Sequence, residues 1–72
     1  MTLLAKLSDN IRRVYIYEIA DYFIVEQILP LGIFNFNSEY LVLPKQGVIS
    51  EDFDFKFFKK DIIELLEELM DE

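Results

Sequence analysis

Hydrophobic and polar residues alternate through the middle of the chain in a pattern that suits extended backbone. Residues 12–19 and 22–29 fit the two strands of a hairpin joined at Ala20-Asp21. Ten of the sixteen residues from Val14 to Leu29 are Val, Ile, Tyr or Phe, whose branched or aromatic side chains favour strands. We therefore favour a hairpin between residues 12 and 29.

The same segment also fits a helix. Apolar residues recur at spacings of three and four over residues 4–29, Ser8 has the side chain of a helix N-cap, and the "PLG" sequence would end the helix. Only Glu18 interrupts the apolar stripe. A two-residue turn at Ala20-Asp21 is unfavourable, because neither residue adopts a positive φ as readily as Gly or Asn. The pattern leaves both structures open.

The sequence "IFNFNSEYLVL" at residues 33–43 predicts a second hairpin. Residues 33–36 and 39–43 are rich in strand-forming side chains, and Asn37-Ser38 is the kind of polar pair that forms a tight turn. This hairpin would place three apolar side chains on one face: Phe34, Phe36 and Leu41.

The sequence "SEDFDFKFF" at residues 50–58 alternates between charged and aromatic side chains. Such alternation is typical of a strand with one face in the core and one face in water. The side chains expected in the core are Phe53, Phe55 and Phe57, and those expected in water are Asp52, Asp54 and Lys56.

A helix is predicted from about residue 61 to about residue 71. Asp61 followed by Glu64 is a capping-box pattern, in which the first side chain accepts from an early backbone N–H and the second accepts from the N–H of the cap residue. At about 100° per residue the apolar and acidic side chains separate onto opposite faces. The apolar face consists of Ile62, Ile63, Leu65, Leu66, Leu69 and Met70, and the acidic face of Glu64, Glu67, Glu68 and Asp71.

Together these elements predict the α+β class, with a small antiparallel β-sheet and a C-terminal amphipathic helix packed on one face of it. We expect residues 1–72 to form a single small domain, because a core of this size buries only about 60% of the surface of the unfolded chain. The pattern assigns no structure to residues 2–8 and no order to the strands.

The composition argues against most catalytic chemistry. The chain has no cysteine and no histidine, which excludes disulfides, thiolate nucleophiles and zinc sites built on nitrogen or sulfur ligands. No nucleophile lies beside a base in a catalytic motif, and two isolated glycines cannot form a phosphate-binding loop. A calcium-binding loop starting at Asp52 would need Gly where Phe57 stands and Glu where Ile63 stands. We therefore expect no enzyme activity, no catalytic residue, no cofactor and no metal.

The chain is more apolar than a domain of this length readily encloses. Hydrophobic residues make up 53% of the sequence and aromatic residues 15%. We therefore expect self-association, most simply as a homodimer, with aromatic side chains in the interface because they are enriched at protein–protein contacts. The candidate interface aromatics are Tyr15, Tyr17, Tyr22 and Phe23.

Residues 14–29 are apolar but do not suit a membrane span. The segment contains Glu18, Asp21 and Glu26, each of which costs roughly 2.5 to 3.5 kcal/mol at the centre of a bilayer. The opening "MTLLAKLSDN" lacks the continuous apolar region of a signal peptide. We expect a cytoplasmic protein with no membrane partner.

Negative charge is concentrated in the last third of the chain. The net charge is −7, and residues 51–72 carry nine acids against three lysines. Direct binding to nucleic acid needs clustered Lys and Arg and is not expected. Acids three or four residues apart on the helix repel each other by some 0.2 to 0.5 kcal/mol per pair, and we expect no lysine to relieve them. This cost favours a role in binding for the helix acids, which would extend the wet-face acids of residues 50–58 into one strip, while the alternative is that the acids keep so apolar a chain soluble. The strip consists of Asp52, Asp54, Glu64, Glu67, Glu68 and Asp71.

These properties predict a non-enzymatic protein–protein interaction module, a small acidic regulator or inhibitor with a basic protein partner. The alternative is an inhibitor that mimics nucleic acid and occupies the site of a DNA- or RNA-binding protein. A salt titration separates the two, since binding by a mimic weakens steeply with salt and binding through an apolar interface does not.

Overall fold

The computed structural model describes residues 1–47, 55 and 57–70. Four strands form one antiparallel sheet in which each strand pairs with its neighbour in sequence, so that the order is β1-β2-β3-β4. One helix, α1, follows the sheet. The predicted α+β class is confirmed. The elements are β1 (Thr2–Ser8), β2 (Arg13–Ile19), β3 (Tyr22–Pro30), β4 (Phe36–Pro44) and α1 (Lys59–Met70).

The β2–β3 hairpin confirms the favoured prediction for residues 12–29, and the helical alternative is wrong. Ile19 pairs with Tyr22, so the connection has two residues, Ala20 and Asp21. Ala20 adopts the positive φ, 49°, that made this turn unfavourable. The turn forms nonetheless because seven pairs of strand residues lie behind it and Lys45 N–H donates to the Asp21 carbonyl at 2.8 Å.

The second predicted hairpin is wrong. Asn37-Ser38 is not a turn, because β4 runs through it without interruption and pairs with β3 from Pro30 opposite Phe36 to Tyr22 opposite Pro44. The chain reverses earlier, over residues 31–35, where Leu31 N–H donates to the Asn35 carbonyl at 2.8 Å. Pro30 and Gly32 provide the stronger turn signal, and pairing along all of β3 gives β4 nine residue pairs.

The side chains that the second hairpin would have grouped on one face are not grouped. Phe34 and Phe36 are 89% and 66% exposed, whereas Leu41 is half-buried and packs against the core. The difference follows from the position of the turn, since Phe34 lies in the loop and Phe36 and Leu41 lie on opposite faces of β4.

The core lies on one face of the sheet. Side chains alternate along β2, β3 and β4, so that one set points towards α1 and the other points away from it. Ile62 and Leu66 of α1 are fully buried in the same cluster as the sheet residues. The buried apolar residues of this cluster are Val14, Ile16, Phe23, Val25, Leu43, Phe55, Ile62 and Leu66.

The helix begins two residues earlier than predicted. Ile62 N–H donates to the carbonyl of Phe58 at 2.8 Å, which places Asp61 inside the first turn rather than at the cap, and the predicted capping box is therefore wrong. An acid in the first turn still stabilises the positive end of the helix dipole. Beyond the two buried residues, the remaining apolar residues of α1 are partly buried against the core: Ile63, Leu65, Leu69 and Met70.

The strand predicted at residues 50–58 is wrong at its end. Phe55 is 4% exposed and belongs to the core, but Phe57 is 59% exposed and lies in a turn that leads into α1. The approach to the helix at Lys59 breaks the alternation on which the prediction depended. The rest of the predicted strand, residues 50–54 and 56, lies outside the described residues.

Candidate interaction surface

The face of the sheet opposite the core carries an apolar and aromatic surface. We call it the open face, and it consists of the side chains that alternate with the core residues along the strands. Tyr40 and Val42 of β4 are 64% and 57% exposed, and Tyr22 of β3 is 47% exposed. The residues of the open face include Leu3, Lys6, Tyr15, Tyr17, Ile19, Tyr22, Ile24, Glu26, Ile28, Phe36, Tyr40 and Val42.

Three of the four predicted interface aromatics lie on this face. Tyr15 and Tyr17 are stacked, with ring centroids 6.2 Å apart and 26° between the ring planes, and Tyr22 is near the opposite end of the hairpin. Phe23 is only 3% exposed and belongs to the core, so its prediction as an interface residue is wrong. The reason is the alternation along β3, which places Phe23 and Tyr22 on opposite faces.

A single carboxylate, Glu26, sits among the tyrosines of the open face. Tyr17 Oη donates to Glu26 Oε1 at 3.2 Å. Burial raises the pKa of the Tyr17 phenol, and the hydrogen bond to Glu26 raises it further. The hydrogen bond to Glu26 is also the main reason that the pKa of Tyr40 is raised. The Tyr17 phenol thus binds the carboxylate. The open face also carries charge at Lys6, which pairs with Tyr15, and at Arg13, which pairs with Ile28.

The loop between β3 and β4 extends the apolar surface beyond the sheet. We call residues 31–35 the tip. Leu31, Ile33 and Phe34 are 69%, 88% and 89% exposed, and residues 27–38 contain no charged side chain. The tip was not predicted, because the sequence pattern places Ile33 and Phe34 in a strand. A run of apolar residues beside Pro30 and Gly32 is the signal that indicates a loop here.

The acidic residues are only partly brought together. Glu64, Glu67 and Glu68 are exposed on α1, in agreement with the predicted acidic face, while Asp52, Asp54 and Asp71 lie outside the described residues. Lys60 Nζ lies 3.9 Å from Glu64 Oε1, with both side chains largely exposed. The expectation that no lysine relieves the acidic face is therefore wrong, although an exposed pair of this kind contributes little.

A polar chain on the core side of the sheet was not predicted from the sequence, and it runs from half-buried Arg12 through buried Gln27 to exposed Glu39. Arg12 Nη1 donates to Gln27 Oε1 at 3.1 Å, and Gln27 Nε2 donates to Glu39 Oε2 at 3.3 Å. The guanidinium of Arg12 lies over the ring of Phe57, 4.7 Å from its centroid. Gln27 is 2% exposed, so these bonds satisfy an amide that would otherwise be costly to bury. We interpret this chain as structural.

An open cavity of about 150 Å³ lies at the end of the sheet where β2 turns into β3 and β4 ends. Its lining residues are Asp21, Tyr22, Pro44 and Gln46. Elsewhere, residues 1–47, 55 and 57–70 contain no group of three acids placed to hold a metal ion. No helix in the described part of the chain has the length and apolar character needed to cross a membrane. Comparisons with protein family models, with curated proteins and with solved structures find no match to this chain.

Proposed function

We propose that this chain is a non-enzymatic protein–protein interaction module, a small acidic cytoplasmic regulator or inhibitor that self-associates through its apolar surface. The observation that carries the proposal is the distribution of the exposed large hydrophobic residues. Of the twelve such residues in the described part of the chain, nine belong to the open face or the tip. A contiguous apolar surface of this kind on a small protein marks an interaction site.

A second copy of the chain is the occupant that we propose, and an uncharged stretch of the apolar surface permits it. Two molecules that each carry a net charge of −7 repel one another unless their contact excludes the acids. The tip and the first residues of β4 belong to an uncharged stretch, residues 27–38. A contact made there keeps Glu64, Glu67 and Glu68 of both copies in water.

The acidic face of α1 is proposed as the surface that a basic protein partner contacts. Glu64, Glu67 and Glu68 are exposed and repel one another at helical spacing, so a cationic partner would relieve a cost present in the free protein. A partner recognised mainly by charge loses affinity as the salt concentration rises. A nucleic-acid mimic shows the same loss, whereas binding through the apolar surface does not, so a salt titration separates recognition by charge from the apolar interface.

Sedimentation equilibrium over a range of concentrations tests the proposal. We expect a homodimer at micromolar concentration. A double variant of the tip, Ile33→Asn with Phe34→Asn, should shift the protein towards monomer without loss of stability, because both side chains are almost fully exposed. Phe57→Asn is the control, since Phe57 is 59% exposed but lies in the turn that leads into α1. A wild-type protein that stays monomeric at high micromolar concentration would contradict self-association.

A further inference from the structure

We infer that the second copy joins this chain along β4, in an antiparallel pair centred on Tyr40, so that two four-stranded sheets become one sheet of eight strands. The inference rests on the proposed self-association and specifies its geometry. An edge strand offers unpaired backbone N–H and C=O groups, which another strand can bind. Among the described strands, the two at the edges of the sheet are β1 and β4.

The two edges differ in their suitability for pairing. The register of β1 against β2 shifts between Leu3 and Ala5, and such irregularities protect a sheet edge from further pairing. Nine consecutive residues of β4 pair with β3 without any shift. A strand that is regular along one side presents regularly spaced groups along the other side, which makes β4 the edge that suits a second strand.

The first half of β4 is uncovered on both faces of the sheet. Phe36 and Tyr40 are 66% and 64% exposed, and the three residues between them are also exposed. Successive residues of a strand point to opposite faces, so neither the helix side nor the open side is covered here. A second strand can therefore approach this part of β4 without displacing any side chain that packs against the core.

Symmetry limits the possible registers. A two-fold axis that relates two antiparallel edge strands is perpendicular to the sheet, so each residue lies opposite a residue of the same face. Only the register centred on Tyr40 overlaps the whole strand, with Phe36 opposite Pro44 of the second copy. A register centred on Glu39 would oppose two carboxylates, and like charges directly opposite are destabilising. In the proposed register Glu39 lies opposite Leu41 instead.

The proposed register also places the tip beside the cavity of the second copy. Phe34 precedes Phe36 by two residues and Gln46 follows Pro44 by two residues, so Phe34 approaches Gln46 of the second copy. Gln46 lines the 150 Å³ cavity together with Asp21, Tyr22 and Pro44. The most exposed aromatic side chain of the described residues would thus lie beside this cavity, and two-fold symmetry makes this contact twice.

The acidic helices do not oppose this arrangement. Both helices lie on the same side of the joined sheet, each over its own four strands. Strands are about 4.8 Å apart, so four strand spacings separate the two helix axes by roughly 19 Å. This separation is larger than the screening length of about 8 Å at physiological salt. The pairing places the two open faces side by side on the other side of the joined sheet, so it covers the tip and the β4 edge rather than the open face.

Single cysteines test the register directly, because the chain has none of its own. Ser38 lies opposite Val42 of the second copy, at a Cα separation of about 4.5 to 5.5 Å that suits a disulfide. Under mild oxidation, a mixture of Ser38→Cys and Val42→Cys should form a disulfide-linked heterodimer. Neither variant should cross-link when oxidised alone, because each residue lies four positions from its own copy.

Two further variants complete the experiment. Tyr40→Cys should cross-link alone, because Tyr40 meets its own copy across the axis, and Lys6→Cys on the opposite edge strand should not. Sedimentation of the same samples separates the two proposals. A dimer in which the Ser38→Cys and Val42→Cys mixture does not cross-link, or in which Lys6→Cys does, would overturn β4 pairing and leave self-association standing. A monomer would overturn both.

Discussion

Replacement of Ala20 by glycine tests the physical cost of the β2–β3 turn. Ala20 has a φ of 49°, a left-handed conformation that costs an L-residue with a side chain roughly 1 to 2 kcal/mol. Glycine adopts this conformation without strain but adds about 0.5 to 1 kcal/mol of backbone entropy to the unfolded chain. We therefore expect Ala20→Gly to raise the free energy of unfolding by up to about 1.5 kcal/mol.

The only other alanine in the chain supplies the matched control. Ala5 lies in β1, is partly buried and packs against the core, so Ala5→Gly should lower the free energy of unfolding by about 0.5 to 1 kcal/mol. The same chemical change is thus expected to have opposite signs at the two positions. In a domain of this size each kcal/mol shifts the Tm by about 4 to 8 °C.

Urea denaturation of the two variants and the wild type, at one protein concentration, measures the difference. The denaturation midpoint should move while the m-value stays constant, since neither change alters the surface exposed on unfolding. If Ala20→Gly lowers the free energy of unfolding as much as Ala5→Gly does, the positive φ at Ala20 does not strain the folded protein.

Three further predictions concern the helix, the aromatic segment and pH. Leu66→Asp should unfold the protein, because Leu66 is fully buried and the change buries a charge. Glu67→Lys should leave the Tm unchanged or raise it. Equal Tm values for the two variants in a thermal melt would contradict the assignment of helix faces. Phe55→Ala should cost roughly 3 to 5 kcal/mol in urea denaturation, and Phe57→Ala much less, because their exposed fractions are 4% and 59%. The pKa of Tyr40 is raised from 10.0 by its hydrogen bond to a carboxylate, so the stabilisation is complete below pH 10 and is lost as the pH rises through the folded pKa. Tyr40→Phe should therefore flatten the decline in stability above about pH 10, and an unchanged decline would mean that this phenol contributes nothing to it.

The elements that sequence analysis predicted correctly are those whose signals are local. The β2–β3 hairpin follows from the strand-forming residues between Val14 and Leu29, and α1 follows from the separation of apolar and acidic residues. The helix exists where the pattern predicts it, although its start was wrong by two residues, because the period of a helix spans many residues while a boundary depends on one or two hydrogen bonds.

The features that were missed depend on contacts between distant parts of the chain. Residues 33–43 have strand character throughout, so only pairing with β3 decides that the reversal occurs before Phe36 rather than at Asn37-Ser38. Tyr22 and Phe23 are both aromatic, and only the register of the sheet decides that Tyr22 lies on the open face and Phe23 in the core. The contact of Phe57 with Arg12, 45 residues earlier in the chain, has no local signal at all.

The polar chain through Arg12, Gln27 and Glu39 has a consequence for how the protein avoids misfolding. A slip of one residue between β3 and β4 would turn every side chain of the slipped strand to the opposite face, and a slip of two would separate Gln27 from Glu39. Either error leaves a buried amide with an unmade hydrogen bond, which costs about 1 to 3 kcal/mol. Apolar neighbours can be exchanged at little cost, since Ile, Val and Leu recur along these strands. The polar chain therefore disfavours mispaired strands, which the apolar residues around it would tolerate.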